Sequence, residues 1–179
     1  MVRLAVLVAI LLLLAYTPLG YLRIGPVAIT FLTIPVAVAA IIVGPGAGAF
    51  LGGVFGLTSF LQCFGADPFG TALLAINPFL TFIMCMVPRI LAGWIPGLVF
   101  RAFTRRRLTT SGALVAALLT SACNTVFFVT ALIAFFFNTE PMRALGESVP
   151  AVIAVLVTSN SLIEAIACTV VAGGVSRAL

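Results

Sequence analysis

Apolar runs of membrane-spanning length, joined by short connections, constrain this chain more than any other feature of its sequence. Several approach or exceed the ~20 residues that carry a helix across a hydrocarbon core. Of 179 residues, 63% are hydrophobic and 7% charged, and a mean hydropathy of +1.34 lies far outside the range of soluble domains. In lipid, backbone N–H and C=O groups must be satisfied within a helix or a closed barrel. The apolar–polar alternation of barrel strands is missing. The expected fold class is therefore all-α: one polytopic membrane domain, 1–179, in the cell (cytoplasmic) membrane.

Six spans are expected. The first runs from about Val2 to Pro18 and reads as a retained helix, because a strong basic n-region and a small-x-small cleavage site are lacking. An irregular outer segment, Gly20 to Thr30, precedes the second span, Phe31 to Val43. Gly44-Pro45-Gly46 then reverses the chain into the third, Ala47 to Phe64. A longer outer loop, Gly65 to Pro78, contains Asp67-Pro68 and Asn77-Pro78. The remaining spans are Phe79 to Phe103, Gly112 to Phe137, and Val149 to the C-terminus.

The basic residues are nine arginines, and their placement gives the orientation. Arg3, Arg101, Arg105, Arg106, Arg107 and Arg177 fall on one side, whereas Arg23 and Arg143 fall on the other with Asp67, Glu140 and Glu147. By the positive-inside rule both termini are cytoplasmic. The formal charge of +5 thus reads as a topology signal rather than a nucleic-acid footprint. Cys63, Cys85, Cys123 and Cys168 have no C-x-x-C spacing and read as buried packing thiols. With no histidine, a zinc site and a Ser-His-Asp machine are excluded, and no metal or cofactor is implied.

Arg89 and Glu164 lie inside apolar runs, where a charge costs about 3 kcal/mol on an insertion scale. At 1.5 Å per residue, Arg89 stands about 21 Å above its inner helix end, Asn124 about 18–21 Å and Glu164 about 20 Å. Three helices therefore carry their least lipid-compatible residues at one level. Asn160 is one turn further out than Glu164, and Thr58 and Gln62 form another i, i+4 pair approaching the outer side. With Asn77 in the second outer connection, these seven residues form a candidate substrate-binding set open to the outside. The alternative is a buried Arg89–Glu164 ion pair, capped by Asn124, that only fixes helix packing. Glu164 could act as a base, but no nucleophile or metal set accompanies it, which argues against an enzyme.

Gly48, Gly52 and Gly56 recur at four-residue spacing and suit close helix packing. Ala5-x-x-x-Ala9 gives the first helix a smooth face that could dock a partner. The aromatics Phe127, Phe128, Phe135, Phe136, Phe137 and Trp94 read mostly as lipid-facing or interfacial.

Taken with Ala5-x-x-x-Ala9, the run IGPVAITFLTIPVAVAAIIVGPGAGAFLGGVFGLTSF (Ile24 to Phe60), Asn77-Pro78, Pro88-Arg89 and SNSLIEAI (Ser159 to Ile166) give a chain that resembles the substrate-binding S-components of energy-coupling factor vitamin transporters, nearly end to end. The resemblance is closest to the pantothenate-type branch. It implies a six-helix protein that captures a water-soluble vitamin or precursor from outside. It also implies docking through Ala5 and Ala9 onto a transmembrane coupling subunit driven by two cytoplasmic ATPases. The chain has no G-x-x-x-x-G-K-[ST] loop of its own, in keeping with that division of labour. A buried Arg89 suits a ligand carboxylate. Riboflavin and hydroxymethylpyrimidine-type ligands stay open, as does a non-transporting scaffold like the small cell-shape protein of comparable layout.

Overall fold

The computed structural model describes residues 2–17, 21–24, 27–105, 109–140, 164–171 and 174. Helix α1 (Val2–Tyr16) is followed by strands β1 (Tyr21–Ile24) and β2 (Val27–Thr30). Then come α2 (Thr33–Ile42), α3 (Pro45–Gln62), α4 (Pro68–Ile76), α5 (Pro78–Thr104) and α6 (Thr109–Phe136). Residues 164–171 are helical and are labelled α7. Apart from residue 174, the rest of the sixth expected span, including Asn160, lies outside the described residues.

Two expectations are corrected. The segment expected to be irregular contains an antiparallel hairpin, with Tyr21 opposite Thr30 and Ile24 opposite Val27. Its strands are rich in β-branched and aromatic residues and flank a two-residue Gly25-Pro26 connection, a hairpin pattern. The loop expected over Gly65 to Pro78 contains α4. Asp67 is its N-cap, accepting from the Gly70 N–H at 3.1 Å, and Pro68 follows at the first helical position. Asn77 repeats the device for α5, accepting from Phe79 and Leu80 N–H at 3.1 and 3.2 Å ahead of Pro78. An Asp-Pro or Asn-Pro pair supplies both an acceptor for orphan N–H groups and a residue that has none to lose. Both pairs start helices here.

The turn into α3 is built the same way. Gly44 adopts φ 123°, a conformation L side chains rarely enter, and Pro45 begins the helix. Helix α3 then runs against α5 with their backbones touching. A Cβ at Gly48, Gly52 or Gly56 would strike the carbonyl oxygen of Gly93, Arg89 or Cys85 respectively. The glycine spacing thus serves helix packing, with α5 as the partner.

Helix α5 lies between α3 and α6, and α2 packs against α1, α3, α5 and α6. At about 15 Å, α2 is half the thickness of a hydrocarbon core, shorter than a span expected over Phe31 to Val43. Its Val36, Ala37, Ala39, Ala40 and Ile41 are buried among the surrounding helices. By contrast α5 and α6 are long and apolar enough to cross a membrane. Their outer faces are apolar too: Val87, Trp94, Leu98, Val115, Leu118 and Val126 are all exposed. Such outward faces suit lipid, not water.

Candidate functional site

The buried ends of this framework meet at a polar cluster. Arg89 is buried on α5, where Gly52 of α3 abuts its carbonyl oxygen. The guanidinium lies over the ring of Phe128 from α6, 4.5 Å from its centroid, and 5.5 Å from that of Phe55 on α3. These are cation–π distances, and they hold a buried cation between two helices. Nη1 donates to the Met84 carbonyl at 2.9 Å, whereas Nε has no partner among the described residues.

One turn from Phe128 on the same helix, Asn124 donates through Nδ2 to Oε1 of Glu164 at 3.4 Å. Glu164, on α7, is fully buried. Thr33 at the start of α2 and Ser121 on α6 also lie beside its carboxyl. One turn along α7, Cys168 meets Thr33 with sulfur and hydroxyl oxygen 3.5 Å apart. Helices α2, α3, α5, α6 and α7 therefore all reach this cluster.

Among the described residues, four buried polar atoms here have no hydrogen-bond partner: Arg89 Nε, Ser121 Oγ, Asn124 Oδ1 and Glu164 Oε2. Buried polar atoms are almost always hydrogen-bonded, so four orphans in one cluster are unusual. Among the described residues the hydrogen bonds of Arg89 and Glu164 go to Met84 and Asn124, not to each other. The arrangement offers donors on one side and acceptors on the other.

The other candidate residues are occupied differently. Gln62 donates through Nε2 to the Ala15 carbonyl at 2.8 Å, satisfying an acceptor at the end of α1. The Thr58 hydroxyl bonds back to the Phe55 carbonyl at 2.8 Å. Asn77 is engaged as the α5 cap. The cluster adds Thr33, Ser121, Phe55 and Phe128, which sequence reasoning did not single out as site residues. A signal existed for two of them: Ser121, Asn124 and Phe128 follow i, i+3, i+7 spacing and share one face of α6.

Ala5 and Ala9 are elsewhere. Both are exposed on α1 and, with Val8, Leu12 and Phe50 of α3, line an apolar groove of about 640 Å³.

Apolar outer faces around a buried, incompletely paired polar cluster define a membrane protein built to hold polar chemistry inside its bundle. Residues 1–176 match the family model for the ECF transporter substrate-specific component, and the chain belongs to that family. This is a family of transporter components rather than enzymes. The chain is 34% identical to the pantothenic acid transporter PanT of Lactococcus lactis subsp. cremoris over 164 residues, covering 86% of this chain and 79% of the relative. It is 38% identical over 104 residues to the pantothenate transporter PanT of Leuconostoc mesenteroides subsp. mesenteroides. That match takes in 55% of this chain and spans about half of the relative's length, 49%.

Proposed function

We propose that this chain is the substrate-binding subunit of an ECF-type importer, that it captures pantothenate from outside the cell, and that the buried cluster holds the ligand. The observation that carries this reading is Arg89, a buried cation whose Nε, among the described residues, is unpartnered and whose hydrogen bond goes to Met84 rather than Glu164. Pantothenate offers a carboxylate, an amide and two hydroxyls. A carboxylate on Arg89 makes a charge-assisted contact, leaving Asn124, Ser121 and Glu164 for the neutral polar groups. The names of both relatives point to the same ligand.

In this account the chain crosses the cell membrane six times with both termini cytoplasmic, as its arginine distribution indicates. Because α2 is short, the second crossing needs residues beyond that helix. Delivery proceeds by docking to a transmembrane coupling subunit powered by two ATPases, with Ala5 and Ala9 in the contact. The small side chains of Ala5 and Ala9 in the α1–α3 groove leave room for a partner helix to approach closely.

Thermal-shift measurements on the purified protein with pantothenate, riboflavin and a hydroxymethylpyrimidine test the ligand. Stabilisation by pantothenate alone is expected. A shift with either other compound instead would overturn the ligand assignment, and no shift with any of them would overturn the binding role.

A further inference from the structure

Pro88 sits in the interior of α5, directly before Arg89. A proline there has no N–H to give the carbonyl four residues back, and its ring crowds that carbonyl. The deprived carbonyl is that of Met84. It is the same oxygen that accepts the Arg89 Nη1 hydrogen bond at 2.9 Å. The proline thus vacates an acceptor within the helix, and the next residue's side chain folds back to take it.

This engagement decides which part of Arg89 remains available. A guanidinium carries its five N–H donors in a rigid planar fork. With Nη1 engaged by Met84 and the plane held by Phe128 and Phe55, the one edge of the fork that does not involve Nη1 is Nε–H with the adjacent Nη2–H. Nε is buried and has no hydrogen-bond partner among the described residues. That edge presents two parallel donors at the spacing of a carboxylate's oxygens.

We propose that Pro88 is a positioning residue for substrate recognition: it frees the Met84 carbonyl to hold Nη1, so that the Nε–Nη2 edge of Arg89 receives the ligand's carboxylate side-on. The proposal rests on the pantothenate reading above. Restoring an N–H at position 88 closes the helical bond to Met84, displaces Nη1 and leaves the guanidinium free to turn.

The test compares pantothenate with pantothenol, in which a hydroxymethyl group replaces the carboxylate, by calorimetric titration of wild type, Pro88→Ala, Arg89→Ala and the double variant. Loss of one charge-assisted alignment predicts a roughly tenfold weaker pantothenate affinity for Pro88→Ala. Pantothenol binding should stay within about twofold, since it lacks the charged acceptor. Adding Pro88→Ala to Arg89→Ala should change nothing further. The melting temperature of Pro88→Ala should not fall, because alanine removes a helix-breaking ring. This separates positioning from misfolding, and Pro88→Ser restores the same N–H as a second variant. If Arg89→Ala loses pantothenate but the position-88 variants bind it like wild type, or lose both ligands equally, the positioning role is wrong and the pantothenate reading stands. If Arg89→Ala binds pantothenate normally, that reading fails and this proposal fails with it.

Discussion

At the scale of single residues, Asn124 donates a side-chain hydrogen bond to Glu164, at 3.4 Å, in a fully buried setting. Asn124→Ala would remove the donor from Glu164 Oε1. A buried acceptor deprived of its partner costs about 1–3 kcal/mol, more when charged. Asn124→Ala should therefore lower the melting temperature in detergent and weaken ligand binding together, checked by thermal denaturation and titration. Arg89, Asn124 and Glu164 were legible in the sequence because amide and charged groups are conspicuous within apolar runs, and a count of helical rise sets them at one level. Ser121, Thr33 and Phe128 were not, since small hydroxyls and aromatics are ordinary in membrane helices and take meaning only from neighbours on other elements. Gln62 shows the converse. Its polarity stands out in the sequence, yet its amide answers the Ala15 carbonyl of α1. Depth alone does not separate an internal acceptor from a ligand.

At the scale of elements, the fold depends on how closely α3 and α5 approach. Gly52→Ala places a methyl group against the Arg89 carbonyl, whereas Gly46→Ala meets nothing within 4 Å. Overpacking of this kind costs about 1–3 kcal/mol. Gly52→Ala should destabilise the protein and disturb Arg89, while Gly46→Ala should melt at or above the wild-type temperature. Asn77→Ala makes a different distinction. As the loss of an N-cap it should cost about 1 kcal/mol and leave pantothenate affinity unchanged; a large loss of affinity at unchanged stability would make Asn77 a ligand contact instead. The described helices stood out in the sequence wherever apolar runs were long. Helix α4 did not, because Asp67-Pro68 and Asn77-Pro78 look like turn chemistry although each is a cap followed by a first-turn proline. The hairpin before α2 was missed for a related reason: its two four-residue strands are too short to stand out within an apolar chain.

At the scale of the whole molecule, family membership makes this one component of a larger transporter, and its surfaces divide accordingly. The exposed apolar faces of α5 and α6 suit lipid, while the groove bearing Ala5 and Ala9 is proposed to meet the coupling subunit. Replacing both alanines with leucine should fill that groove and abolish vitamin uptake and co-purification with the coupling subunit, with ligand affinity intact. Loss of binding in the same variant would place the groove's role elsewhere. The central claim is that buried Arg89, through its Nε edge, recognises the substrate's carboxylate. Calorimetric titration of pantothenate into purified wild-type and Arg89→Ala protein tests it most directly. The account predicts sub-micromolar binding by wild type and a loss on the order of a hundredfold in the variant, the scale of removing one member of a buried charge pair. Equal affinities would contradict it.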